Sequence, residues 1–324
     1  MAQKLSFMSQ TLIRRAYRLC VDLLSETVAA IRSGTPASGL FVRHAPWGRH
    51  YPIVPGAAFH VVLRGSCRLV PPGGEPLALG AGDVVFMPRG ADHDLVDSPG
   101  TPITEIARPG EPRELPGPGE RTEILCGAYE LGRQRSHPLL DELPEFIHLT
   151  ARPCYHPALR GVVDLLAAEL AEPRQGGDAA IPNLLEIMLL FLLRAWFDEQ
   201  AGARPTGWAA AFADPAVAAA LRAVHEDPAR PWTVADLADI AGVSRATLAR
   251  RFTATIAEPP LAYVTRWRLL TAARLLRETD APLQSIARKV GYTSEFAFAK
   301  AFKRAYGLAP GHYRHQPNPA SIAV

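Results

Sequence analysis

The sequence predicts a multidomain α and β chain, with an N-terminal β-barrel and flanking helices followed by an all-α domain of two helix-turn-helix units. Three observations carry this expectation. Short apolar runs punctuated by Gly and Pro fill the stretch from about Gly39 to Thr150, whereas the last hundred residues contain an internal repeat with helical spacing. The charge is also divided: residues 214–324 hold 15 Lys and Arg against 9 Asp and Glu, while residues 1–213 hold 20 against 23. A basic C-terminal part has the surface that a polyphosphate partner requires.

Taken in order, residues 1–21 read as an N-terminal extension. Lys4, Arg14, Arg15 and Arg18 are followed by Asp22 and Glu26 with no uninterrupted apolar stretch, so a secretory leader is not expected. The runs Phe59–Leu63, Cys67–Val70, Pro76–Leu79, Val84–Met87 and Glu123–Tyr129 are short enough for barrel strands. The Pro- and Gly-rich stretch Arg108–Glu120 reads as a mobile loop. Helices are expected at Ala158–Ala171 and Pro182–Gln200, completing a domain over residues 22–200. The second helix is apolar on nearly all sides and so needs cover from its own domain or from a second subunit, which points to a homodimer. Its uninterrupted run Ile187–Leu193, bracketed by Glu186 and Arg194, is too short to span a bilayer, so no membrane is expected. Residues 201–213 read as a linker and 317–324 as a tail. Four cysteines, Cys20, Cys67, Cys126 and Cys154, show no CxxC pair, which suits a reducing, cytoplasmic location.

The repeat lies within residues 214–316. LADIAGVSRATLARRFTATI from Leu237 matches SIARKVGYTSEFAFAKAFKRAYG from Ser285: Ala238 and Gly242 recur 49 residues on as Ala287 and Gly291, and Ser244 and Phe252 recur 50 on as Ser294 and Phe302. Thr233 is placed to cap a helix with Val234, Leu237, Ala238 and Ala241 inward, and Gly242 permits the positive φ that ends it. Ser244 then caps a helix burying Leu248 and Phe252 at i, i+4 spacing, with Arg245, Arg250 and Arg251 on other faces. In the second copy Leu283, Ile286, Ala287 and Val290 face inward, and Ser294 caps a helix burying Phe298 and Phe302. Leu261–Glu278 reads as a stiff connecting helix. An apolar helix packed behind a Ser-capped basic helix presents side chains to the major groove of double-stranded DNA.

These residues, together with the terminal motif GYTSEFAFAKAFKRAYGLAPGHYR at Gly291–Arg314, resemble the AraC/XylS family. The resemblance implies a sequence-specific transcription regulator that reads two successive major-groove segments, with RNA polymerase as a further partner. Carried over position by position, it implies base-facing Arg245, Ala246, Ala249 and Arg250 in the first unit and Glu295, Phe296, Ala299 and Lys300 in the second. Arg250 suits bidentate guanine recognition, Lys300 guanine or phosphate, Glu295 a cytosine amine and Phe296 thymine methyls. Arg251, Arg266, Arg268 and Lys303 are expected near phosphates.

Upstream, GDVVFMPRGADH at Gly82–His93 resembles the second motif of cupins, and with FHVVLRGSCRLV and ILCGAYEL it is similar to the cupin-like sensor of many AraC-type regulators. The metal-binding cupin pattern is incomplete, because Ala58 stands where Glu is expected and there is no HxH pair. No metal or other cofactor is therefore expected, and no catalysis. The resemblance implies an effector pocket with His60, His93 and Cys126 in its wall, controlled by a small molecule; the alternative is a redox or electrophile signal at Cys126, which requires a partly exposed thiolate. A metal-dependent cupin enzyme with an accessory DNA-binding domain is the competing reading.

Overall fold

A computed structural model describes residues 22–31, 36–108, 111–129, 138–151, 156–200 and 207–315. The expected extension at 1–21 and the tail at 317–324 lie outside these. Two compact units result: one gathers residues 23–30 and 207–310, the other residues 36–200 and 311–315. The first helix of the described chain is α1 (Leu23–Ile31).

The other unit is built on two facing sheets. Strands β1 (Ala37–His44), β2 (Gly48–Tyr51), β3 (Ala57–Arg64), β4 (Ser66–Val70), β5 (Leu77–Gly80), β6 (Val84–Met87), β7 (His93–Val96), β8 (Glu105–Ile106), β9 (Glu114–Leu115), β10 (Arg121–Tyr129) and β11 (Ile147–Leu149) form orders β11-β6-β3-β10-β1-β9 and β5-β4-β7-β2-β8. Phe41, Trp47, Val62, Leu69, Val85, Leu95 and Ile124 fill the space between them. All five strands expected from apolar runs are present within a few residues; β1, β2 and β7 carry His and Arg among their apolar residues and gave a weaker signal.

The stretch expected to be a mobile loop is anchored. Arg43 and Arg49, both buried, hold Glu105 at 3.0 and 3.2 Å and Glu111 at 3.8 and 2.5 Å, and β9 adds to β1 in parallel. Local composition suggested irregular backbone, but the ion pairs of Glu111 to Arg43 and Arg49, more than sixty positions away in sequence, tie it down.

After α2 (Pro138–Glu142) come α3 (Pro157–Ala171) and α4 (Gly177–Gln200), which pack on each other. Pro182 was read as the start of α4; the helix begins earlier, at Gly177, with Asp178 in its first turn. At 24 residues it is long and apolar enough to cross a membrane by length and composition, so the argument from seven apolar residues does not hold. One face, Leu185, Met188, Leu189, Leu192 and Leu193, is buried, and the Tyr129 hydroxyl donates to the Leu185 carbonyl at 2.9 Å, fastening α4 to β10.

The helical unit continues with α5 (Gly207–Ala213), α6 (Pro215–Glu226), α7 (Val234–Ala241), α8 (Arg245–Ile256), α9 (Pro260–Glu278), α10 (Leu283–Lys289) and α11 (Glu295–Tyr306); α12 (Pro310–His315) ends the described chain. Residues 207–213 were read as linker, yet α5 packs on α8 with Trp208 and Ala211 buried, because an aromatic anchor overrides a loop-like flank. His225, Tyr263 and Trp267 make the centre of the unit: the His225 ring stacks on Trp267 at 3.5 Å, and its Nε2 meets the Tyr263 hydroxyl at 2.6 Å. Burial pushes the His225 pKa down to about 3, so the ring is neutral.

Two glycines with positive φ close the first helix of each repeat, in different surroundings. At Gly242 (φ 66°) an added Cβ meets nothing within 4 Å; at Gly291 (φ 82°) it meets the Ala229 carbonyl oxygen at 2.8 Å and the Ala229 Cα at 2.9 Å. Gly242→Ala is expected to cost about 1 kcal/mol from backbone strain alone. Gly291→Ala adds a backbone clash and is expected to cost about twice that or more, a ranking that chemical denaturation measures.

Candidate nucleic-acid interface and effector pocket

The two candidate recognition helices, α8 and α11, each start on a serine cap, and in the first repeat the helix before it is capped as well. The Thr233 hydroxyl accepts from the Asp236 amide while the Asp236 carboxylate accepts from the Thr233 amide, a reciprocal cap that starts α7. Ser244 Oγ accepts from the Thr247 amide at 3.2 Å to start α8, and Ser294 Oγ accepts from Ala297 at 3.4 Å to start α11. Leu248, Phe252 and Ile256 bury one side of α8; Phe298, Phe302 and Tyr306 bury the equivalent side of α11. The opposite sides face solvent. Arg245, Ala246, Arg250 and Arg251 are exposed with Ala249 half-buried, and Glu295, Phe296, Lys300 and Lys303 are exposed with Ala299 half-buried.

Within each helix the pairs Arg245/Ala249 and Ala246/Arg250, then Glu295/Ala299 and Phe296/Lys300, fall four apart and so share a face. Phe296 is 79% exposed, an extreme for a large apolar side chain, which the folding of this unit does not explain. Arg251 approaches Asp214, the N-cap of α6, at 3.6 Å. Two of the expected phosphate neighbours are engaged elsewhere. Arg268 donates to the carbonyls of Pro228 at 2.7 Å and Arg230 at 2.8 Å, and half-buried Arg266 pairs with Glu258. Acceptors close in space, Glu258 for Arg266 and two carbonyls distant in sequence for Arg268, hold both side chains against the unit.

In the barrel unit, strand register brings the other candidates together. His60 on β3 lies directly opposite Cys126 on β10, and Tyr51 on β2 lies opposite His93 on β7 in the facing sheet. His93 Nδ1 is 2.7 Å from the Ala91 carbonyl oxygen, His93 Nε2 is 2.7 Å from His60 Nε2, and His60 Nδ1 is 3.0 Å from Cys126 Sγ. The proton positions follow by elimination. A carbonyl only accepts, so His93 carries its proton on Nδ1 and accepts at Nε2; His60 then donates from Nε2 and accepts at Nδ1, leaving the Cys126 thiol as donor. The Tyr51 hydroxyl donates to the sulfur at 3.6 Å.

This order requires every member to be neutral, and burial enforces it. Burial holds the His60 pKa well below the usual imidazole range, assisted by the neighbouring His93, and lowers that of His93. It raises the Tyr51 hydroxyl well above its ordinary value and pushes the Cys126 thiol up to about 12. A cavity of about 230 Å³ borders this chain, lined by Phe41, Tyr51, Val54, Ala58 and Ala107, by the ring members His60, His93 and Cys126, and by Arg49. Among the described residues no group of three or more His, Cys, Asp and Glu is arranged to hold a metal ion. Sequence reasoning singled out His60, His93 and Cys126 and missed Tyr51, Arg43, Arg49, Glu105 and Glu111. The signal available for Arg43 was a cation inside the apolar run LFVRH, which demands a buried partner.

Comparisons with known proteins also find two parts, with α1 on the cupin side. A cupin family model matches residues 22–198 and a helix-turn-helix domain model matches residues 237–316. An AraC-like transcription regulator of Streptomyces lividans is 37% identical over 302 residues, covering 92% of this chain and 99% of that protein. The HTH-type transcriptional regulator AlkR of Acinetobacter baylyi is 32% identical over 83% of this chain and 91% of its own length, and the regulator MtrA of Neisseria gonorrhoeae is 30% identical over 83% and 89%. These relatives are named as regulators, and nothing among them supports the enzyme reading. With a matched cupin domain ahead of a matched helix-turn-helix domain, and such identity along almost its whole length, the chain belongs to the AraC/XylS family of DNA-binding transcription regulators with a ligand-sensing N-terminal domain.

Proposed function

We propose that this regulator reads a promoter through Arg245, Ala246, Ala249 and Arg250 of α8 and Glu295, Phe296, Ala299 and Lys300 of α11, with Arg251 and Lys303 at phosphates, under control of an effector received in the barrel cavity. The observation that carries the reading is the repeated, Ser-capped helix whose apolar side is sealed while its opposite side, including Phe296, is bare. Ala246 and Ala249 offer no side-chain hydrogen bonds, so direct base recognition by α8 rests on Arg245 and Arg250. The two units are joined by α9, whose Tyr263, Trp267, Leu270 and Leu275 are buried, as a stiff connector requires.

The effector site is the cavity with His60, His93 and Cys126 in its wall. Its volume exceeds the roughly 150 Å³ that accepts a benzene-sized guest, and its lining is chiefly apolar, which suits a small apolar molecule. The neutral, buried Cys126 thiol favours that signal over one that needs a standing thiolate. Residues 22–200 act as sensor and dimerisation domain and 214–316 as DNA-binding domain. Ile187 of α4 and Leu165 of α3 remain exposed, at 42% and 57%, and offer apolar surface to a second copy of the chain. The protein works in the cytoplasm, where promoter DNA and RNA polymerase are available.

Footprinting of promoter DNA with the full-length protein tests this. Protection of two segments about one helical turn apart is expected, weakening about a thousandfold between roughly 50 and 200 mM salt if six or so phosphates are neutralised. A protected patch confined to one segment, or binding indifferent to salt, would refute the assignment of paired reading heads.

A further inference from the structure

We propose that Cys126 and His60 form a nucleophile and base pair that captures small apolar electrophiles, of the class of alkenes conjugated to a carbonyl, inside the barrel cavity. The proposal rests on the reading of that cavity as the place where the signal is received. Three features lead to it. The thiol and the imidazole are in direct hydrogen-bond contact, 3.0 Å from Sγ to Nδ1, and the tautomer deduced above leaves Nδ1 free of a proton. The base is itself held by a third group, His93, which is anchored on the Ala91 carbonyl; a nucleophile, a base and an orienting residue in series are the arrangement that covalent chemistry uses. All three border an apolar cavity of about 230 Å³, so a bound electrophile meets the sulfur out of bulk water. Packing alone would be served by an apolar side chain at each of these positions and does not require two histidines in contact.

The step balances without an oxidant or a leaving group. A sulfur lone pair forms the bond to the β-carbon of the alkene, and the π pair shifts toward the carbonyl oxygen as an enolate. The S–H proton passes to His60 Nδ1 as the C–S bond forms, then returns from His60 to the α-carbon, so the thiol adds across the double bond and His60 is regenerated. Because burial opposes a free thiolate, the proton leaves during bond formation and not before it. Arg49 lines the same cavity beside its ion pairs with Glu105 and Glu111, and among the described residues its buried Nε has no hydrogen-bond partner. Its fixed positive charge in the wall favours the negative charge that develops on the enolate oxygen.

The test is exposure of the intact, folded protein to methyl vinyl ketone, with the modification of each cysteine followed by peptide mass analysis. Cys67, also buried and raised to about 12 but without a hydrogen-bonded base, is the internal reference. Cys126 is expected to gain one equivalent at least about tenfold faster than Cys67, and His60→Gln is expected to slow it by about a hundredfold. In the unmodified sequence the rate is expected to stay flat between about pH 6.5 and 8, where a reaction limited by an ordinary thiolate rises nearly tenfold per pH unit. This pH profile decides the matter even if His60→Gln does not fold. Unreactive Cys126, modification of Cys126 and Cys67 in step, a rate that climbs with pH, or an unchanged rate in folded His60→Gln would each overturn the proposal. DNA affinity of the same adduct reports separately on the cavity as the signal site: selective capture with unaltered DNA binding leaves this chemistry standing and removes that reading.

Discussion

Replacing Glu105 with alanine should lower the stability of the barrel unit by about 3–5 kcal/mol, the cost of stranding buried cations. Glu105 sits between two guanidinium groups that are each only 2% exposed, accepting from Arg43 Nε at 3.0 Å and from Arg49 Nη1 at 3.2 Å. Glu111 alone cannot serve both, since it is 2.5 Å from Arg49 but 3.8 Å from Arg43. Arg43 also donates to the carbonyls of Val42 and Arg113, so it cannot swing to solvent without breaking those bonds as well. Calorimetry of the full chain is the measurement, because two units need not unfold together. Glu105→Gln separates charge from shape: it keeps an acceptor of the same size, and its loss should fall between those of the parent and the alanine variant. Equal stability of all three proteins would show that the guanidinium groups find other partners or water.

The second large effect concerns DNA. Arg250→Ala and Lys300→Ala combined should weaken binding to the cognate promoter by about a hundredfold, on the basis of about 1–3 kcal/mol for each good base contact. The two sites should differ in kind. A bidentate guanidinium chooses a base, so Arg250→Ala is expected to relax the preference at one position; a flexible ammonium that settles on phosphate lowers affinity for all sequences alike and reduces the salt dependence by about one ion. Both side chains are exposed on helices whose buried faces they do not touch, so the folded structure should be unaffected. Affinity and site preference measured by gel shift against randomised DNA distinguish these outcomes, and unaltered affinity in the double variant would remove α8 and α11 as the reading heads.

How far the sequence could be read depended on the distance over which its information is written. The helical repeat is encoded within a few residues: Ser244 and Ser294 cap the amides of residues three ahead, and Phe252 and Phe302 fall one turn from Leu248 and Phe298. Local patterning therefore located the starts of both candidate recognition helices to the residue. The barrel site depends instead on pairings between residues far apart. His60 meets His93 across 33 positions and Cys126 across 66, and Arg43 meets Glu105 across 62. Motif resemblance found the three candidates His60, His93 and Cys126, but Tyr51, Arg49, Glu105 and Glu111 lie in stretches whose local composition signals only strand or loop, and the lone cation in LFVRH marks Arg43 without naming its partners. The same limit explains Arg266 and Arg268, which look like solvent-facing cations until Glu258 and the carbonyls of Pro228 and Arg230 come into view.

The 19-residue α9 bears on how such a protein can change over generations. Each residue added to or removed from a helix turns everything beyond it by about 100° and shifts it by about 1.5 Å. With α8 and α11 as the proposed pair of reading heads, a single insertion in α9 would swing one away from the side on which the other works, so tolerated changes in length would come in groups of three or four, with a matching change in the interval between the two DNA segments. Drift in target sequence is consequently open to point substitutions on the bare helix faces, while drift in target spacing is nearly closed.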